Sequence, residues 1–327
     1  MIALFKQKAP GTVAVLFITG LLLKLPLFTG PALQTAPSDG PLFRLLASQL
    51  RGAAPVASGL IAFVLLFAGA LTINSLVNFY RMMSRQTFLP ALSFLLITSL
   101  VPEWSRLSAP LCATVLLTFA FAVILQLYGS PKAGGKIFNI GLLVGLAGFF
   151  FTPALLFGII GILGLMVLRP LRAQELLLFL LGVSTPTYFY AVGLFLYDQF
   201  SWKSLVPWLH FGIINKRPSY ALLGSIVLLV APFLLGSFYV QANLRKMLIQ
   251  ARKNWSLVLF YLLLALAMPF FNNDGQYTAW VLVAPPLAAF QACAFLYPAR
   301  RWTPLLLFFV LICYILALQY GVEMIRR

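Results

Sequence analysis

The sequence predicts an all-α protein, a polytopic transmembrane helical bundle of about eleven spans with its N-terminus inside, and three observations predict it. The chain is a near-continuous series of apolar runs, each close to the ~20 residues that cross a bilayer. It is 62% hydrophobic and only 9% charged, with a mean hydropathy of +0.98, a composition that cannot clothe a water-soluble surface at this length. Its basic residues fall mainly in every second gap between runs: Lys6/Lys8, Arg81/Arg85, Lys132/Lys136, Arg169/Arg172, Arg245/Lys246/Arg252/Lys253 and Arg300/Arg301. Cytoplasmic loops of membrane proteins are enriched in Lys and Arg, so this alternation assigns those gaps to the inside.

Spans are expected near 11–29, 54–79, 87–102, 107–128, 137–151, 153–168, 174–197, 219–240, 255–272, 277–297 and 302–320. The first follows two lysines, as in a signal peptide, but has no convincing cleavage site and is read as an uncleaved span. Residues 137–168 read either as a hairpin turning at Thr152-Pro153 or as one long kinked helix. Basic residues flank the pair on both sides, so an even number of crossings separates them and the hairpin is expected. The C-terminus then lies outside, as do Asp39, Glu103, Asp198, Asp274 and Glu323, leaving Glu175 near the cytoplasmic side. The whole chain, 1–327, reads as a single transmembrane domain.

Gly141, Gly145 and Gly148, then Gly158, Gly161 and Gly164, place small residues on helix faces where backbones can approach closely. Pro90, Pro186, Pro232, Pro269 and Pro285-Pro286 read as ordinary kinks and helix ends. Cys112, Cys293 and Cys313 lie within apolar runs and read as small buried hydrophobes. Lys24, near the outer end of its span, is expected to snorkel to the interface. The segment Gln241–Lys253 is expected to continue the eighth span as a membrane-surface helix, with Leu244, Met247, Leu248 and Ala251 on one face.

The net charge of +17 is dispersed over short loops and forms no nucleic-acid-binding face, so the partners expected are membrane lipids. Walker loop, nucleophile elbow, zinc motif and mid-membrane acid are all missing, which removes support for ATPase, hydrolase, metalloprotease and ion-coupled transporter.

The first external loop, 30–53, carries Asp39 in Ser38-Asp39-Gly40-Pro41 and then an expected interfacial helix over 41–51. On it Leu42, Leu45, Leu46 and Leu50 share one face and Arg44, Ser48 and Arg51 the other. Asp39 reads as a residue flanking that helix's N-terminus, or as an outward carboxylate able to serve as a general base or to help hold a divalent metal. Glu103, in Val101-Pro102-Glu103-Trp104, is the second candidate. Arg44, Arg51 and Arg106, with Lys203 and His210 of the external loop 198–217, are candidate contacts to a lipid phosphate. Trp202 and Trp208 in that loop also suit plain interfacial anchoring.

An acidic residue after the first span, an interfacial helix and a second acid in the loop after the third span resemble the membrane module of GT-C glycosyltransferases, over roughly residues 1–130. The resemblance implies a transferase acting on polyprenyl-phosphate-linked sugars, with Asp39 as base and Glu103 as metal or acceptor partner. This chain departs from the pattern in lacking a second acid beside Asp39, a long second loop and a large external domain. Ile137-Phe138-Asn139-Ile140-Gly141, Phe149-Phe150-Phe151-Thr152-Pro153, Leu168-Arg169-Pro170 and Gly182-Val183-Ser184-Thr185-Pro186 also resemble an uncharacterised family of bacterial polytopic inner-membrane proteins. That likeness implies location and architecture. The functions expected are therefore a reduced GT-C-like transferase or binder of polyprenyl-phosphate-linked glycan at the outer face of a bacterial cytoplasmic membrane, a non-catalytic subunit of an envelope or secretion complex, or a lipid transporter.

Overall fold

A computed structural model describes residues 2–7, 11–28, 35–36, 38–50, 55–170, 172–200, 211, 219–271, 277–300 and 302–325. They are almost entirely helical: α1 (Ile2–Phe5), α2 (Gly11–Leu23), α3 (Pro41–Leu50), α4 (Pro55–Phe79), α5 (Leu89–Leu100), α6 (Pro102–Ser105), α7 (Ala109–Leu125), α8 (Gly134–Phe150), α9 (Gly158–Leu168), α10 (Ala173–Leu196), α11 (Tyr220–Asn243), α12 (Ile249–Ala267), α13 (Ala284–Leu296) and α14 (Trp302–Ile325). Tight turns at Leu25–Leu27, Thr152–Phe157, Met268–Phe271 and Tyr277–Val283 extend α2, α9, α12 and α13.

Among the described residues six helical segments are long and apolar enough to cross a membrane: Pro55–Phe79, Ala173–Leu196, Tyr220–Lys246, Ile249–Phe271, Tyr277–Leu296 and Trp302–Gln319. Shorter apolar helices occupy Gly11–Leu23, Leu89–Leu100, Ala109–Leu125, Gly134–Phe150 and Thr152–Leu168. The molecule is thus a helical membrane protein. Proline opens several helices, within the first two positions of α5, α6, α7 and α13, where its missing N–H costs nothing. Ser108 and Ser219 accept hydrogen bonds from the amides of Leu111 (3.4 Å) and Leu222 (3.2 Å), capping α7 and α11.

Burial sorts the helices. Every residue of α5 is buried, and nearly all of α13 and α7, so these form the centre. α10 and α11 run along the outside, with only 11% and 17% of their apolar windows buried. The chain reverses within 152–157: Arg169, at the end of α9, donates to the carbonyl of Ser130, just before α8. Residues 137–168 are therefore a hairpin. Its outer helix packs against α10 at near-backbone contact, where a Cβ on Gly141 would lie 2.3 Å from the carbonyl oxygen of Phe179. Gly145, Gly148, Gly161 and Gly164 are likewise pressed against neighbours, whereas Gly158 has room.

Long-range contacts between the ends of helices separate into two groups. At the basic end, Phe88 N–H donates to Phe5 O (2.9 Å), Trp255 Nε1 to Met82 O (3.0 Å), Ser84 N–H to Tyr297 Oη (3.2 Å) and Lys253 Nζ to Val167 O (2.9 Å). Arg169 pairs with Glu175 at 3.0 Å on the same side. The 80–88 loop there is closed by Asn78, whose amide gives a hydrogen bond to Thr87 O (2.8 Å) and takes one from Thr87 N–H (3.0 Å). At the far end, Gly40 N–H donates to Phe150 O (2.8 Å), Trp104 Nε1 to Tyr277 O (2.8 Å), Ser225 Oγ to Leu100 O (2.8 Å) and Gln319 Nε2 to Leu23 O (2.8 Å). None of these bonds crosses between the groups. This is the arrangement that alternating crossings produce.

Two expectations are corrected. Gln241–Lys253 is not one surface helix: the chain becomes extended at Met247 and Leu248 (ψ 155° and 150°), and Arg252 and Lys253 belong to the first turns of α12. Cys112 and Cys293 are buried, but Cys313 is exposed on the outside of α14.

Candidate functional site

The far end gathers most of the unusual chemistry among the described residues. α2 stops at Leu23, and the chain turns through Leu25–Leu27, with Lys24 at φ −109° and ψ 8°. This turn swings the Lys24 side chain inward, to 1% exposure. Its Nζ donates to Thr98 Oγ1 at 3.0 Å, on the last turn of α5, and to Ser105 Oγ, at the end of α6. Lys24 therefore does not snorkel; its interior position outweighs the pull of the interface.

Both hydroxyls are oriented to receive it. Thr98 gives its proton to Phe94 O (2.9 Å) and Ser105 gives its own to Thr98 O (2.7 Å), so each turns lone pairs to the lysine. No described carboxylate pairs with Lys24. Two residues before Ser105 on the same short turn, Glu103 is half-buried, and its Oε2 is buried without a hydrogen-bond partner. Trp104, between them, is pinned by its bond to Tyr277. A buried amino group and a buried carboxylate oxygen with no partner thus lie on neighbouring segments, each retaining hydrogen-bonding capacity.

Asp39 is built differently. Gly40 approaches the 149–151 turn so closely that a Cβ would lie 2.0 Å from Phe149 O, and Asp39 forms an isolated antiparallel bridge with Phe151. Asp39 is 6% exposed, and its Oδ2 accepts the Ala36 N–H at 2.6 Å. The carboxylate thus supports its own loop and the docking of that loop on the hairpin tip.

α3 follows as expected, from Pro41 to Leu50, but its faces differ from the reading of leucines alone. Phe43 and Ala47 are buried at 0% and 2%, while Leu45 is exposed beside Arg44 and Ser48. Phe43 and Ala47, not the leucine row, thus make the buried face of α3, which packs against α8. Arg44 and Arg106 are exposed at the far end, Arg106 directly after α6. Asp198 caps α10 in the left-handed region at φ 55°, with Gln199 N–H donating to Leu194 O at 2.9 Å. Arg51, Lys203 and His210, with Trp202 and Trp208, lie outside the described residues.

The structure thus brings Glu103 and Arg106 together with Ser105 and Lys24, while Asp39 and Arg44 belong to the adjoining α3 segment. Among the described residues no three His, Cys, Asp or Glu side chains group as metal ligands. Sequence reasoning singled out Lys24 but read it as snorkelling, and so missed its partners Thr98 and Ser105. Their signal was a lysine inside an apolar run, which is also the signature of a snorkelling side chain. Comparison with models of protein families, with curated proteins and with solved structures yields no match.

Proposed function

We propose that this chain is a multi-pass protein of a bacterial cytoplasmic membrane, with eleven crossings, an inside N-terminus and a GT-C-like first third, which binds the phosphate of a polyprenyl-phosphate-type carrier lipid at its outer face. The observation that carries the reading is Lys24: a buried amino group held by two hydroxyls and no carboxylate, at the end of the bundle opposite the basic gaps. A lysine desolvated in this way gains from an anionic partner. The exposed Arg44 and Arg106 at the same end supply further positive charge for a headgroup. The eleven crossings draw support from the separation of end contacts into two groups and from the charge alternation.

Binding is favoured over sugar transfer. A base needs a free carboxylate oxygen in reach of the acceptor, and Asp39 Oδ2 is engaged with Ala36 N–H in a tightly packed turn. The test is native mass spectrometry of the purified chain with polyprenyl phosphate and with the uncharged polyprenol. The wild type is expected to retain the phosphate in preference to the alcohol, and Lys24→Met to lose that preference. Equal retention of the phosphate by Lys24→Met overturns the reading.

A further inference from the structure

A groove of about 720 Å³ opens between α4 and α7 at the basic end, away from Lys24 and Glu103. Its wall is largely apolar, with Leu71, Leu76, Phe119, Ala122 and Leu125, and with Phe79 78% exposed. Its end is polar and is lined by Ser75, Gln126, Tyr128, Lys136 and Gln250. None of the side chains of Ser75, Gln126, Tyr128 or Gln250 makes a hydrogen bond within the described protein, so their donors and acceptors are available. Lys136 holds its Nζ at 3.3 Å from both Gln126 O and Ser130 Oγ, and Lys253 sits 5.5 Å over the Tyr128 ring. No acid is among the described residues that line the groove, and Glu175, at the same end of the molecule, is paired with Arg169.

We propose that this groove is a binding site for an anionic phospholipid of the leaflet at the basic end, with one acyl chain between α4 and α7 and the phosphate at Lys136. Three observations fit that occupant together. The volume falls in the range of small-molecule sites, about 300–1,000 Å³. The wall joins a largely apolar surface to a polar cluster around Lys136, as a lipid joins chain to headgroup. Two lysines at the polar end, with no acid among the lining residues, complement a negative charge, as basic pockets between membrane helices do on the cytoplasmic side. The inference rests on membrane embedding alone and is independent of carrier-lipid binding at the far end.

The full chain, purified in detergent and equilibrated with mixed micelles of phosphatidylglycerol or phosphatidylcholine, tests it by native mass spectrometry of the retained lipid. Wild type is expected to retain phosphatidylglycerol about fivefold or more over phosphatidylcholine, the factor one lysine near a headgroup supplies. Lys136→Glu is expected to abolish that preference. Ser75→Trp fills the groove from an exposed position that makes no hydrogen bond, and is expected to lower retention of both lipids while the unfolding midpoint stays put, which keeps the test open if Lys136→Glu misfolds. Equal retention of the two lipids by wild type, or undiminished phosphatidylglycerol in Ser75→Trp, overturns the site.

Discussion

Lys24 Nζ lies 3.0 Å from the Thr98 hydroxyl, joining the end of the first apolar helix to the last turn of the most deeply buried one across 74 residues of chain. The bond is unusual in what it leaves behind when cut. Thr98 and Ser105 keep their carbonyl partners whether or not the lysine is present. Replacing a buried charged group by an apolar one of similar volume is often neutral or stabilising. Lys24→Met is therefore expected to change stability by no more than about 1 kcal/mol, while Lys24→Glu unfolds the far end. Thermal unfolding in detergent measures both. A Lys24→Met variant as unstable as Lys24→Glu would mean that the lysine is a structural tie.

The α8–α10 contact makes a second, sharper prediction. A Cβ on Gly141 would lie 2.3 Å from Phe179 O, and one on Gly182 would lie 2.4 Å from Phe138 O, so each side chain would meet backbone that cannot swing away. Gly141→Ala and Gly182→Ala are each expected to destabilise by about 1–3 kcal/mol, the usual range for overpacking. Gly135 and Gly193 sit in the same two helices with nothing within 4 Å. Alanine there is expected to be neutral or to stabilise by roughly 0.5–1 kcal/mol, through the lower entropy of the unfolded chain. Unfolding midpoints of the four variants, read side by side, decide it.

The positions of helices were legible in this sequence and their rotations were not. The apolar runs, the prolines at helix starts and the basic gaps are local signals, and they located the hairpin tip at Thr152 and helix α3 to within a residue. Which face of a helix is buried is written in the contrast between apolar and polar faces. A chain that meets lipid on one side and protein on the other lacks that contrast. Phe43 rather than the leucine row is therefore buried and Cys313 faces outward, although nothing in their hydropathy marks those faces, and Lys24 points inward although a lysine near the end of an apolar run reads equally as a snorkelling one. The Asn78–Thr87 clasp escaped notice for a related reason: a single buried amide that closes a loop is visible only once both ends are placed.

The orientation of the α4 crossing has a direct test. Ser84 is exposed at the basic end and Gln49 at the far end, and eleven alternating crossings put them on opposite sides of the membrane. In a background with Cys112, Cys293 and Cys313 replaced, Gln49→Cys is expected to react with an impermeant maleimide on intact spheroplasts. Ser84→Cys is expected to react only after lysis. Labelling of Ser84→Cys from outside would reverse the assigned orientation, and labelling of both from one side would remove the alternation.

Asp39 separates carrier-lipid binding from transfer chemistry. Asparagine retains an acceptor oxygen for the Ala36 N–H, now 2.6 Å from Oδ2, but cannot take a proton. Asp39→Asn is expected to cost less than about 1 kcal/mol, and Asp39→Ala about 1–2 kcal/mol, because only alanine leaves the half-buried Ala36 amide without its acceptor. If binding is the activity, Asp39→Asn retains polyprenyl phosphate at the wild-type level while Lys24→Met does not. A base at Asp39 would give the opposite pattern for turnover: sugar transfer by the wild type, abolished in Asp39→Asn with folding intact. Measuring lipid retention and sugar transfer on the same two variants distinguishes the two, since a loop-supporting carboxylate affects neither readout when its hydrogen bond is preserved.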